Sequence, residues 1–230
     1  MAESQLTVEE LAKLFSVLSH DLKSPIFSID GFSDLLIADY SDRLDDEGRD
    51  FLMRIRSSAS QVKRVLDEMS HIVKLLNRPL SRRPVSIAEL IEEIRLKQNS
   101  SIENGKVEFI IPGDLGTMNV DPEKGREAIG ALISNAVFFN DRPIGERKVF
   151  VEMTTVDSEQ QLCIKDNGIG IDPRYLAQVF DLGIKLDKSR GGGPGYGLYL
   201  ARRIAESHGG RVDASSVLDE GSSFCFVIPV

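Results

Sequence analysis

The sequence predicts an α+β chain in which a helical hairpin forms a dimeric four-helix bundle and a two-layer α/β sandwich with a mixed sheet follows it. Three observations carry this expectation. Residues 1–79 place apolar side chains at alternating steps of four and three, residues 85–230 switch between helix and strand periodicity, and the prolines of the stretch Pro79 to Pro84 separate the two regimes.

In the first segment the apolar positions are Leu11, Phe15, Leu18, Leu22, Pro25, Ile29, Phe32 and Leu36. This is a heptad seam. After an acidic, turn-like stretch from Tyr40 to Gly48, the steps resume at Phe51, Ile55, Ser58, Val62, Val65, Met69, Ile72 and Leu76. Two long helices joined by a short loop fold back on one another. Leu14, Val17, Leu35, Leu52, Leu66 and Val73 widen the apolar face beyond what one partner helix covers, so a second copy of the hairpin is expected to complete the core as a homodimer. Pro25 removes one helical hydrogen bond just after His20 and predicts a kink there.

In the second segment Val85, Ser86, Glu89 and Leu90 form a capping box with a hydrophobic staple, opening a helix that runs to about Gln98. Lys106 to Ile111 and Thr117 to Val120 read as strands. Asp121 and Pro122 then cap a helix that carries Asn135 near its end and keeps Ile129, Leu132, Ile133 and Ala136 inside. Lys148 to Val156 pairs with Gln160 to Lys165 around Asp157 to Glu159, and Arg211 to Ser216 pairs with Ser222 to Pro229. Leu198 to Ser207 is a further helix. His208 with Gly209 reads as its C-terminal stop, and His71 has no partner motif.

Composition narrows the function classes. A net charge of −8 argues against nonspecific nucleic-acid binding. No run approaches the roughly 18 apolar residues a membrane helix needs, and Met1 to Thr7 lacks a signal-peptide core, so the chain is expected to be cytoplasmic, with no membrane segment. Cys163 and Cys225 sit in short apolar runs without metal-ligand spacing and are expected to be buried free thiols.

Two glycine clusters carry the chemistry. In "DNGIGI", Asp166 to Ile171, a carboxylate stands beside flexible backbone directly after a strand. In "GGGPGYGLYLARR", Gly191 to Arg203, glycines precede a helix whose free amides and dipole favour phosphate. This second cluster lacks the lysine and serine of a P-loop and the strand-turn-helix setting of a dinucleotide site. Either cluster alone would be an ordinary turn.

Together with "LSHDLKSP" (Leu18 to Pro25), "LISNA" (Leu132 to Ala136) and "VFDLGIK" (Val179 to Lys185), in this order, they make nearly the whole chain resemble the two-component sensor histidine kinases. The resemblance implies a phosphoacceptor bundle followed by the ATP-binding domain shared with gyrase-type and chaperone ATPases. It makes His20 the nucleophile that accepts the γ-phosphoryl group of ATP, with Asp21 assisting. It makes Asp166 the acceptor of the adenine amino group, Gly168 and Gly170 the points of close backbone approach, and Asn135 the ligand of Mg²⁺. Phe180, Lys185 and Leu198 are implied nucleotide contacts, with Gly193, Gly195 and Gly197 closing over the phosphates beside Lys188 or Arg190. The partner it implies is the receiver domain of a response regulator.

Four departures from the family pattern matter. Ala131 stands where an asparagine or a water-activating glutamate is usual, Phe138 where a phosphate-binding lysine is usual, and Gly183 in the place of an aromatic residue. Ser24 occupies the place where a threonine or asparagine often orients water. A pseudokinase scaffold and a conformational ATPase of the chaperone or gyrase type are the alternative readings; Ala131 removes the base that the latter needs.

Overall fold

The computed structural model describes residues 8–98, 107–186 and 195–230, with the side chains of the first helix described from Val17 onward except for His20. The chain divides into two compact units, Met1–Arg78 and Pro79–Val230.

The first unit is a helical hairpin of α1 (Val8–Tyr40) and α2 (Asp46–Asn77), joined through a short 3-10 turn at Ser41–Arg43. Asp45 caps α2 by accepting from the Gly48 N–H at 2.8 Å. α1 remains helical through Pro25, which cannot donate to the carbonyl one turn back. The helices are held in antiparallel register. Lys23 pairs with Asp67 at 2.7 Å, Lys63 stands 4.4 Å over the Phe27 ring, Ser60 Oγ donates to Asp30 at 3.3 Å and Arg56 pairs with Asp34 at 2.8 Å. Steps of four, three and four residues up α1 meet steps of four, three and four down α2.

The hairpin seam differs from the expected one. Among the described residues, Ser19 and Ser33 of α1 and Leu52, Ala59, Leu66 and Leu75 of α2 are the buried side chains. Leu22, Phe32, Leu36, Phe51, Ile55 and Val62, expected on the seam, are between 42% and 66% exposed. Small Ser and Ala side chains bring the two helices close, and the larger apolar residues turn outward as a second face.

The second unit begins with β1 (Arg83–Ser86), which sequence periodicity did not reveal, paired antiparallel with β3 (Thr117–Val120). Between them lie α3 (Ile87–Lys97), capped by Ser86 Oγ accepting from the Glu89 N–H at 3.4 Å, and β2 (Glu108–Ile110). α4 (Pro122–Phe138), β4 (Lys148–Val156), β5 (Glu159–Asp166), α5 (Gly197–Ser207), β6 (Arg211–Val217) and β7 (Gly221–Pro229) follow. The main sheet has the order β2-β4-β5-β7-β6, with β2 parallel to β4 and the other pairs antiparallel. It is the expected mixed sheet. Asp157 and Ser158, both at positive φ, turn β4 into β5 with a two-residue loop that suits the strand twist.

α4 and α5 pack on one face of the sheet. Ile129, Leu132 and Ile133 of α4, Ala201 and Ile204 of α5, and Val151, Leu162, Ile164 and Phe226 of the sheet all have no accessible surface. Each of the larger side chains contributes about 1.5–3 kcal/mol by this burial. Cys163 and Cys225 correct an expectation: they form a disulfide, and among the described residues no cysteine is free. They lie directly opposite one another on β5 and β7 with Cα atoms 4.0 Å apart, a register that residues 62 positions apart in sequence cannot announce.

Candidate nucleotide site

The helix phase that buries Leu132, Ile133 and Ala136 leaves Ala131, Ser134, Asn135 and Phe138 on the opposite side of α4. These residues form one wall of a cavity of about 430 Å³. Ile169, Gly170 and Ile171 of the segment after β5 line a second wall, and Ile184, Lys185 and Leu186 with Gly195, Gly197 and Leu198 line a third. Ser222 at the start of β7 and Leu218 before it, with Phe139, Asp172, Tyr175 and Val179, complete the lining.

Asp166 ends β5 just behind this lining and is 5% exposed. Its Oδ1 accepts from the Gly168 N–H at 2.8 Å and the Ser222 N–H at 3.3 Å. Burial raises its pKa from 3.8 to about 6, against the lowering effect of those two amide donors. Burial therefore makes the charged form of this carboxyl costly to hold. Ser222 extends the network: its Oγ lies 2.9 Å from Ser216 Oγ, which donates to the Gly221 carbonyl and accepts from the Ile171 N–H at 2.7 Å.

The glycines of "DNGIGI" have a structural reason beyond room for a ligand. A Cβ on Gly168 would lie 2.3 Å from the Phe139 carbonyl oxygen. One on Gly170, at φ +66°, would lie 2.0 Å from the Val217 carbonyl oxygen. Only glycine lets the segment thread between α4 and the β6–β7 turn. Asn167 fastens the same segment, accepting from the Lys148 N–H and from Asn140 Nδ2, both at 2.9 Å, and donating to the Glu146 carbonyl at 2.8 Å.

On the third wall α5 begins at Gly197 with no side-chain cap, so its first amides and its positive dipole end lie at the cavity. A Cβ at Gly197 would stand 3.4 Å from that of Ala131, so the small residue at 131 allows the two helices to approach. Among the described residues, the Asn135 side-chain amide has no hydrogen-bond partner and Lys185 is the only cation in the lining. Gly183, at φ +77°, donates its N–H to the Gly195 carbonyl at 3.2 Å, a conformation the usual aromatic residue would resist. The structure thus gathers Asn135, Gly170, Lys185, Gly195, Gly197 and Leu198 on the wall, with Asp166 and Gly168 behind it.

Phe180 is not on the lining; it is 8% exposed and packs edge-to-face on Phe224 with ring centres 6.1 Å apart. Gly193, Lys188 and Arg190 lie outside the described residues. His20 and Asp21 lie in α1, in the other unit, and the His20 side chain lies outside what is described. Ser222, Phe139 and Ile171 were not legible as site residues, because only the β5–β7 register and the chain reversal after β5 bring them to the cavity.

Comparison with known proteins accounts for this architecture. Residues 10–78 match the His Kinase A (phospho-acceptor) domain, and residues 120–230 match the histidine kinase-, DNA gyrase B- and HSP90-like ATPase family. Together the matches span most of the chain, which is a two-component histidine kinase catalytic core. Similar curated proteins include Cyanobacterial phytochrome B from Nostoc sp., 28% identical over 98% of this chain and 30% of its own length. Sensor protein kinase WalK from Staphylococcus haemolyticus is 26% identical over all of this chain and 38% of its own. The chain thus spans well under half of these relatives. Full-length ShkA, solved in complex with AMPPNP, shares the fold over 94% of this chain and 45% of its own at a TM-score of 0.72 and 23% identity. AdeS from Acinetobacter baumannii matches 91% of this chain and 97% of its own at 0.57 and 19%. Among the described residues no helix is long and apolar enough to cross a membrane.

Proposed function

We propose that this chain is a histidine protein kinase that moves the γ-phosphoryl group of ATP to His20 and then to an aspartate on a response-regulator receiver domain. The observation that carries the reading is the cavity itself. A buried carboxyl group, Asp166, stands just behind the wall formed by the segment after β5, and an uncapped helix N-terminus with Asn135 and Lys185 belongs to the other walls. That polarity matches an adenine nucleotide, whose base carries amino hydrogens and whose tail carries negative charge.

In this reading Asp166 accepts from the adenine amino group, and the α5 amides with Lys185 hold the phosphates. Gly195 and Gly197 let backbone come close to them, and Leu198 contacts the nucleotide. The donor set fits Mg²⁺ with a single protein ligand, Asn135. The one lining acid, Asp172, is engaged by Arg174 at 2.7 Å, so the ion would be held by Asn135 and otherwise by the substrate and solvent. When bound, the ion neutralises charge on the phosphates. The His20 imidazole forms the N–P bond as the bond from Pγ to the bridging oxygen breaks and ADP leaves; Asp21 supports the charge that develops on the ring.

The outward apolar face of Leu22, Phe32, Leu36, Phe51, Ile55 and Val62 is covered by a second copy of the hairpin, making the homodimer. The test is incubation with γ-labelled ATP and Mg²⁺. Acid-labile, alkali-stable label on the parent chain that is absent from His20→Gln supports the reading; no label on the parent despite measurable ATP binding overturns it.

A further inference from the structure

His208, whose sequence context reads only as a helix stop, is fully buried and belongs to a hub of polar groups that the nucleotide site does not use. Its Nδ1 lies 2.8 Å from the Ile204 carbonyl, which can only accept, and its Nε2 accepts from the Asp121 N–H at 3.0 Å, which can only donate. The ring is thereby held as one neutral tautomer. Asp121, also fully buried, caps α4: its Oδ1 accepts from the Glu123 and Lys124 amides at 3.1 Å. Its Oδ2 accepts from the Ser81 N–H at 3.0 Å, and the Arg82 guanidinium donates to the His208 carbonyl. Ser81 and Arg82 are linker residues. From Arg83 onward the chain is already paired to β3 through β1.

Two consequences follow from this wiring. α2 ends with its cap at Arg78 and the hub takes hold at Ser81, so only Pro79 and Leu80 separate the end of the hairpin helix from the clasp. Asp121 is moreover the N-cap of α4 and His208 the C-cap of α5, while Asn135 stands near the other end of α4 and Gly197 opens α5. The two helices are antiparallel struts. At one end they form the phosphate side of the cavity; at the other they hold the linker.

We propose that the Asp121–His208 hub, clasped by Ser81 and Arg82, is a positioning device for phosphoryl transfer that fixes the interdomain linker to the far ends of the two helices bearing the phosphate site. Occupancy of the phosphate site and anchoring of the linker are then coupled, and the hub keeps the free span short when ATP is delivered to His20. This rests on the kinase reading.

The side chain to change is Arg82, which is exposed and outside the core, so its loss spares the fold. Arg82→Met and Arg82→Lys are compared with the parent in autophosphorylation kinetics and in amide exchange at residues 81–83, with and without an ATP analogue and Mg²⁺. Arg82→Met is expected to speed exchange at these amides and to change kcat by about tenfold, the scale of one charge-assisted hydrogen bond. KM for ATP should stay within about twofold, and Arg82→Lys should recover much of kcat. Nucleotide should slow the exchange in the parent but not in Arg82→Met. Unchanged exchange in Arg82→Met, or kcat and KM moving together, overturns the proposal. If the parent takes no label, the kinase reading falls, and exchange that does not respond to nucleotide in the parent overturns the coupling separately.

Discussion

Replacing Asp166 by Asn should move nucleotide binding and stability in opposite directions. The parent carboxylate is 5% exposed, and its pKa rises from 3.8 to about 6 because burial outweighs the two amide donors. At about 1.4 kcal/mol per pKa unit, holding it ionised above pH 6 costs the fold on the order of 3 kcal/mol. The sign follows from the direction of the shift: a folded-state pKa above the unfolded one lends stability that is complete below about pH 4 and lost as pH rises through about 6. Asn keeps a carbonyl oxygen for the Gly168 and Ser222 amides but has no charge to bury, so Asp166→Asn should be the more stable chain at pH 7.5, and its margin should vanish near pH 4. Binding should suffer. The amide presents N–H groups toward an adenine amino group, and loss of a hydrogen bond to a charged acceptor costs about 1.5–3 kcal/mol, or roughly 10- to 100-fold in Kd. Urea unfolding at pH 4.5 and 7.5 and titration with an ATP analogue measure both quantities. Asp166→Asn binding within about threefold of the parent would refute the assignment of Asp166 to adenine, and an unaltered pH slope of stability would refute the electrostatic argument.

Gly170→Ala places a Cβ against the Val217 carbonyl oxygen at a positive φ, so unfolding midpoints should fall by the equivalent of about 2 kcal/mol or more, with nucleotide binding lost as the segment shifts. Phe138→Lys adds a cation to an exposed position on the cavity wall; ATP should bind several-fold more tightly while adenosine is unaffected, read by parallel titrations. Reduction of the Cys163–Cys225 bridge opens a loop of 62 residues and should cost about 2–4 kcal/mol in chemical unfolding, a loss that Cys163→Ser should reproduce.

Local chemistry wrote much of this molecule into its sequence. The apolar periods, the Ser86 and Asp121 caps, the Asp157–Ser158 turn and the two glycine clusters each act through residues within a few positions of one another, and such signals survive in one dimension. The order of the clusters was enough to expect a nucleotide site holding Asn135, Asp166 and the α5 amides. The tertiary structure decided what depends on partners distant in the chain. It chose Ser19, Ser33 and Ala59, with Leu52, Leu66 and Leu75, as the hairpin seam, the three small side chains letting the helices approach closely. It turned Phe180 into core and Ser222 into cavity wall, and it joined Cys163 to Cys225 through the β5–β7 register. His208 shows the same division: its neighbours in sequence mark only the end of a helix, and its partners, Asp121 and Arg82, come from segments about 90 and 130 residues away that only the packed sheet and helices bring together.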